Sequence, residues 1–254
     1  KQLPSEQAYG QADNPSQVRA DTSVEASELH ALGINMNLAP VLDVATPNSI
    51  IGSEARSYGP NASEDTALGL AAIHGYQSHG IAATAKHVVG LGTTQTNPET
   101  TLPHLHLTSQ QLATQLSPFK AAAHAGVDGM MVTHVIIAGI TSPTTPASLS
   151  YNVVTKILRD QFGYKGVIMT DSLTMGAVTS HIGIGTACIM AVTAGEDILL
   201  IAQGGPNSQS IFMTAVNAVV GKVDSGKISM SRINQSVLRI LRLKQTLHLS
   251  LPAS

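Results

Sequence analysis

The sequence is poor in several things, and each shortage excludes something. Of its 254 residues one is cysteine, Cys188, which rules out an intrachain disulfide and a cysteine-built zinc centre. Cys188 sits in the apolar stretch TACIMAVTAG, where buried packing is its expected role. There is no tryptophan, and aromatic residues make up only 3% of the chain. Charged residues are 12% and the formal net charge is -2, so neither nucleic acid nor an anionic membrane is expected as a partner. No apolar run reaches the roughly 18 residues that a membrane span requires. The N-terminus shows no signal-peptide pattern, although a mature chain cut from a precursor would look the same. The ten histidines are scattered along the chain.

What is present is a rhythm. Hydrophobic residues are 43%, enough to build one large core. Short apolar runs alternate with helical patterns: INMNLAPVLDV at 34–44, GIAATAKHV at 80–88, GVDGMMVTHVII at 126–137, YKGVIMTDSL at 164–173 and EDILLIA at 196–202. Each is nearly continuous in apolar residues, as strands buried on both faces are. A sixth strand is expected near 211–223. Strands alternating with helices predict βαβ units and a parallel sheet. Gly33 is a good stop for the helix before the first strand, and SMSRINQSVLRILRLKQTL reads as a closing amphipathic helix. With no internal repeat, low-complexity tract or linker, residues 1–254 are expected to form one domain.

Polar residues gather where these runs end: Asp43, then Lys86 and His87, then His134, then Asp171. In parallel α/β folds, ligands bind at the C-terminal ends of the strands, so four such ends point to one site. Singly, each residue has a structural alternative. Asp171 in TDSL fits the N-cap of the next helix as well as it fits a nucleophile at a strand terminus.

Eight stretches, in this order, extend over nearly the whole chain: ALGINMNLAPVLDV, ARSYG, AKHVVGLG, MMVTHVI, TPASLS, ILRDQFGYKGVIMTDSLTMGAV, AGEDILLI and ISMSRINQSVLRILRLK. Together they resemble glycoside hydrolase family 3, in its β-N-acetylhexosaminidase-like branch. The resemblance implies a (β/α)8 TIM-barrel-like α/β fold and a retaining mechanism on terminal β-linked N-acetylglucosamine or a related sugar. It implies neither metal nor organic cofactor. By position, Asp171 matches the family's nucleophile. Lys86 and His87 match a pair that binds sugar hydroxyls, and Arg56 matches an arginine that contacts the sugar. Asp43 is implied to shape the site floor, His134 to stand in the site wall, and Met175 to pack beneath the nucleophile. A carboxylate under the anomeric carbon suits an oxocarbenium-like transition state. The scarcity of aromatic rings counts against tight sugar stacking.

Two departures from the family pattern matter. The family's Asp-His acid/base pair falls on Asn97 and Glu99 in KHVVGLGTTQTNPETTLP. Asn97 carries no charge to polarise a partner. Glu99 is either the general acid, a role carboxylic acids fill in most glycosidases, or an ordinary solvated carboxylate. His104 and His106 are weaker substitutes. The second departure is at the start, where the chain is expected to lack the first two βα units, with QVRA at 17–20 as a remnant of that region. Residues 1–30 rebuilding part of the wall is one answer to the open edge, a sequence trimmed from a longer chain is a second, and a homo-oligomer through that edge is the preferred one. Two functions therefore compete: a retaining exo-glycosidase, and a degenerate sugar-binding or scaffold protein. A phosphate-binding barrel is a distant third, since VGLG and AQGGPN lack phosphate-loop spacing. Relatives of the family work in bacterial cell-wall recycling or on exported polysaccharides, which leaves cytoplasm and cell envelope both open.

Overall fold

The computed structural model describes residues 2–202 and 208–249. Two helices open the chain, α1 (Glu6–Ala12) and α2 (Pro15–Ala31). Pro15 stands at the first turn of α2, where its missing N–H costs nothing, and the Asn14 side chain caps the Gln17 N–H. Gly33, at φ +79°, turns the chain out of α2 into the first strand, β1 (Met36–Asn37). Then follow α3 (Ile50–Ser53), α4 (Ala62–Gln77), β2 (Ala82–Val88), β3 (His104–Leu105) and α5 (Ser109–His124). A reciprocal Thr108–Gln111 capping box starts α5. The chain continues through β4 (Gly129–Val132), β5 (Ile136–Ile137), a π-helical segment Asn152–Gln161, β6 (Val167–Thr170), α6 (Gly176–Thr179), α7 (Ile184–Ala194), α8 (Ser208–Asp224) and α9 (Met230–Thr246).

β1, β2, β4 and β6 form one parallel sheet in that order. Ile198 extends it by a single parallel bridge to Met169 in β6. β3 and β5 pair separately, also in parallel. The central strands β2, β4 and β6 are buried almost throughout, as sheets covered on both faces must be. Helices α2, α4 and α5 cover one side, and a core that includes Leu68, Ile81, Phe119 and Ile168 lies between them and the sheet. The result is a parallel, helix-covered arrangement of the (β/α)8 barrel kind.

Several sequence expectations shift. The run at 34–44 ladders only over Met36–Asn37, with one further bridge from Val41 to Lys86. The run at 126–137 splits into β4 and β5, which belong to different sheets. The expected sixth strand near 211–223 is the body of α8. Its apolar residues recur at helical spacing, and periodicity overrides β-branched content there. QVRA lies inside α2 rather than ending a strand region. Cys188 is buried. Of AQGGPN, positions 203–207 lie outside the described residues.

The last helix is tied down by charge. Asp197, fully buried, accepts from Arg159 at 2.6 Å, Arg239 at 2.9 Å, Ser236 Oγ at 2.6 Å and the Ile168 N–H at 3.1 Å. This knot fixes α9 against β6 and satisfies every lone-pair direction of the carboxylate.

Candidate active site

The C-terminal ends of the strands converge on a cavity of about 320 Å³. Lys86 and His87 reach it from β2, Met131 from β4, Asp171 and Ser172 from the end of β6, and Leu200 from the segment bridged to β6. Arg56 enters from the loop after α3, and Asn97, Pro98 and Glu99 form part of the rim. Met175 closes the lining beside Asp171. Six of the eight residues singled out in the sequence thus share one cavity: Arg56, Lys86, His87, Glu99, Asp171 and Met175.

Asp43 and His134 do not line it; they stand behind it, both fully buried. Asp43 Oδ2 accepts from His87 Nδ1 at 2.7 Å, and Oδ1 accepts from the Leu91 N–H at 2.8 Å. A carboxylate oxygen only accepts, so Nδ1 carries the proton and Nε2 is left as the ring atom available to the cavity. His134 bridges Ser148 Oγ at 2.7 Å and the Ser172 carbonyl at 2.9 Å. The carbonyl fixes the proton on Nε2, so Nδ1 accepts from the Ser148 hydroxyl. Burial pushes the His134 pKa down, which keeps the ring neutral in this role. His134 therefore anchors the backbone next to Asp171.

Asp171 is half-buried, and its Oδ1 accepts from the Ser172 N–H at 2.7 Å. Its own N–H is held by the Val132 carbonyl at 2.9 Å. It does not cap α6: the residue at that position is Met175, which gives no side-chain cap. Burial, and then Arg56, lower the Lys86 pKa, while Asp171, Glu6 and Asp43 oppose the fall. Among the described residues the Lys86 ammonium has no hydrogen-bond or ion-pair partner. Arg56 pairs at 2.9 Å with Glu54, both partly exposed.

Glu99 is exposed on a tight turn. Asn97 Oδ1 accepts the Glu99 N–H at 2.9 Å, and the Asn97 carbonyl accepts from Thr100 and Thr101. Asn97 thus acts as a turn former, a role its side chain suits well. The second glycine of VGLG, Gly92, has a different use from anion cradling. The Gly92 carbonyl accepts from the Thr46 N–H at 3.0 Å, and a Cβ there would stand 1.8 Å from the Val44 carbonyl oxygen. Two loops, one of them carrying Leu91 of the cavity lining, touch backbone to backbone at this point.

Apart from Met175, the sequence did not single out the apolar part of the lining. Ile50, Ile51, Met131 and Leu200 supply much of it, and nothing in their local pattern separates them from core. Nor did it mark Glu6 on α1, whose charge is felt at Lys86 and whose own pKa burial raises.

The family profile for the Glycosyl hydrolase family 3 N terminal domain matches residues 1–243. The chain belongs to glycosyl hydrolase family 3. It is 30% identical over 240 residues to a Beta-hexosaminidase A of Pseudoalteromonas piscicida, covering 89% of this chain and 40% of that protein. A Beta-hexosaminidase of Nitrosomonas eutropha is 31% identical over 225 residues, which is 87% of this chain and 63% of that one. A solved glycoside hydrolase family 3 beta-N-acetylglucosaminidase from Paenibacillus superposes with a TM-score of 0.92 at 37% identity, over 99% of this chain and 47% of its own. The chain therefore spans between two fifths and two thirds of the length of these family 3 relatives.

Proposed function

We propose that the chain, acting as one barrel domain, is a retaining exo-glycosidase for terminal β-linked N-acetylglucosamine or a related sugar. One observation carries this reading: Asp171 and Glu99 line the same cavity as Arg56, Lys86 and His87. About 320 Å³ is near the lower bound for small-ligand sites, which suits one sugar ring at a chain end. Lys86, Arg56 and the Nε2 atom of His87 grip ring hydroxyls, and the unpaired Lys86 ammonium gains its partner only when a sugar arrives. Ile50, Ile51 and Met131 offer apolar surface to an acetamido methyl group.

In the first step the Asp171 carboxylate attacks the anomeric carbon, and Glu99 passes its proton to the departing glycosidic oxygen. The aglycone leaves as an alcohol and the sugar stays as an ester on Asp171. In the second step Glu99, now ionised, takes a proton from water whose oxygen attacks the same carbon, and Asp171 is released.

The second reading, a sugar-binding member without turnover, is favoured by one observation: Glu99 is exposed. Hydrolysis of an aryl N-acetylglucosaminide by wild type, Asp171→Asn and Glu99→Gln separates the two. The glycosidase reading expects activity lost in the first variant. In the second it expects a loss confined to poor leaving groups, with azide restoring turnover on activated ones. Binding of N-acetylglucosamine without hydrolysis of any substrate supports the sugar-binding reading.

The same proposal includes self-association. Leu32, Ile34 and Leu38 are exposed along the β1 edge, and Phe212, Val220, Val237 and Leu241 on α8 and α9. Exposed apolar side chains on these two faces are what an interface between copies would cover. Sedimentation giving a compact, stable monomer at all concentrations would count against it.

A further inference from the structure

Helix α6 has an unusual start. The first N–H groups of any helix lack an intrahelical acceptor and need one from elsewhere. Met175, at the cap position, provides no side-chain acceptor. The acceptors come from the turn that carries Glu99. Gly176 N–H donates to the Glu99 carbonyl at 2.7 Å, and Ala177 N–H donates to the Pro98 carbonyl at 3.1 Å. The approach is so close that a Cβ on Gly176 would lie 2.6 Å from the Thr100 carbonyl oxygen and 2.8 Å from that of Glu99. Both obstacles are backbone, which cannot swing aside as a side-chain tip can.

The other end of this contact leads to Asp171. Met175 N–H donates to the Ser172 carbonyl at 3.0 Å, closing a turn, and Ser172 N–H donates to Asp171 Oδ1 at 2.7 Å. The arc Asp171–Gly176 is thus fixed within itself and docked on the turn Asn97–Thr101. That turn is in turn held by Asn97.

We infer that Gly176 is a positioning residue: it latches the Asn97–Thr101 turn to the arc behind Asp171 and so sets where Glu99 stands relative to the nucleophile. The inference rests on the assignment of Glu99 as acid proposed above. Gly176 touches no substrate; it acts through Glu99. The latch means that the acid is held in place before the sugar binds, instead of being delivered by loop closure.

The test is a leaving-group series of aryl N-acetylglucosaminides on the wild type, Gly176→Ala, Asn97→Ala, Glu99→Gln and the double variant Gly176→Ala/Glu99→Gln, with amide exchange followed at Gly176 and Ala177. Misplacement by about 1 Å costs on the order of 100-fold when geometry is critical. Gly176→Ala should therefore lose roughly ten- to a hundredfold in kcat/KM on poor leaving groups and little on activated ones. Asn97→Ala, whose side chain is not in the core, should show the same selectivity if the glycine variant fails to fold. On the Glu99→Gln background Gly176→Ala should cost nothing further, since residues acting through one group are non-additive. Equal losses across the series, or additive losses in the double variant, overturn the inference while leaving the glycosidase reading intact. If Glu99→Gln changes nothing, or the wild type cleaves no substrate, the assignment of the acid falls instead. Exchange then decides the latch alone: slow exchange at both amides upholds it, and exchange at free-loop rates removes it.

Discussion

Two regions of the chain collect a carboxylate and several cations, and they are built in opposite ways. The Asp197 carboxylate is answered from within: two arginines, a serine and a backbone N–H converge on it. Around Asp171 the cations face a cavity, and the Lys86 ammonium has no partner among the described residues. A partly buried charge without a partner is costly, and this one faces an open cavity in which a ligand's hydroxyls would answer it. The Asp197 knot serves the fold; on the function proposed above, the Asp171 cavity serves a ligand.

Substitutions sharpen this contrast. Asp171→Asn should lower kcat/KM on an aryl N-acetylglucosaminide by about 10³-fold or more, with the melting temperature little changed. Asp197→Ala should do the reverse. Removing one side of a buried ion pair costs about 3–5 kcal/mol, read by chemical denaturation, while turnover per folded molecule is retained. Lys86→Met should weaken activity roughly 10- to 100-fold, the value of a hydrogen bond to a charged group. Its stability should hold or rise, because no internal bond is lost. A fall in stability as large as that of Asp197→Ala would erase the distinction between the two regions.

The smallest effect concerns pH. Both carboxyl oxygens of Asp65 and of Glu196 are buried without a hydrogen-bond partner, and burial pushes both pKa values well up. Asp128 is pushed up to about 6 by the same cause. Groups of this kind hold protons in the folded state that the unfolded chain has released. Their contribution is complete below the unfolded carboxyl range near pH 4 and is lost as pH rises through the folded values. Stability should fall by about 1–3 kcal/mol between pH 4 and neutrality. Asp65→Asn and Glu196→Gln should each flatten that slope in thermal melts taken across the range.

Much of the site was legible because strand ends carry their chemistry in plain order. Lys86, His87 and Asp171 each close an apolar run, and the buried strands behind them leave few other places for ionisable groups. The depth of Asp43 and His134 was not legible. Both also follow apolar runs, and only the fold reveals that one orients His87 and the other holds the Ser172 carbonyl. Asn97 reads in sequence as a lost charge, whereas its hydrogen bonds make it the former of a turn. The apolar run of α8 misled because a helix packed on a neighbouring helix, here α7, and a buried strand draw on the same residues. The unpartnered Asp65 and Glu196 escaped notice because each sits in a helical or turn-like context where an acidic residue is ordinarily solvated.

The backbone contact at Gly92 bears on how such a site can diversify. With the Val44 carbonyl oxygen 1.8 Å from where a side chain would begin, the backbone beside Leu91 of the lining offers almost no room for experiment by mutation. The rim around Glu99 is open to solvent and constrained mainly through backbone atoms. A lineage exploring new sugars or linkages would have to do so from the top, keeping an inherited base and trading residues along its edge.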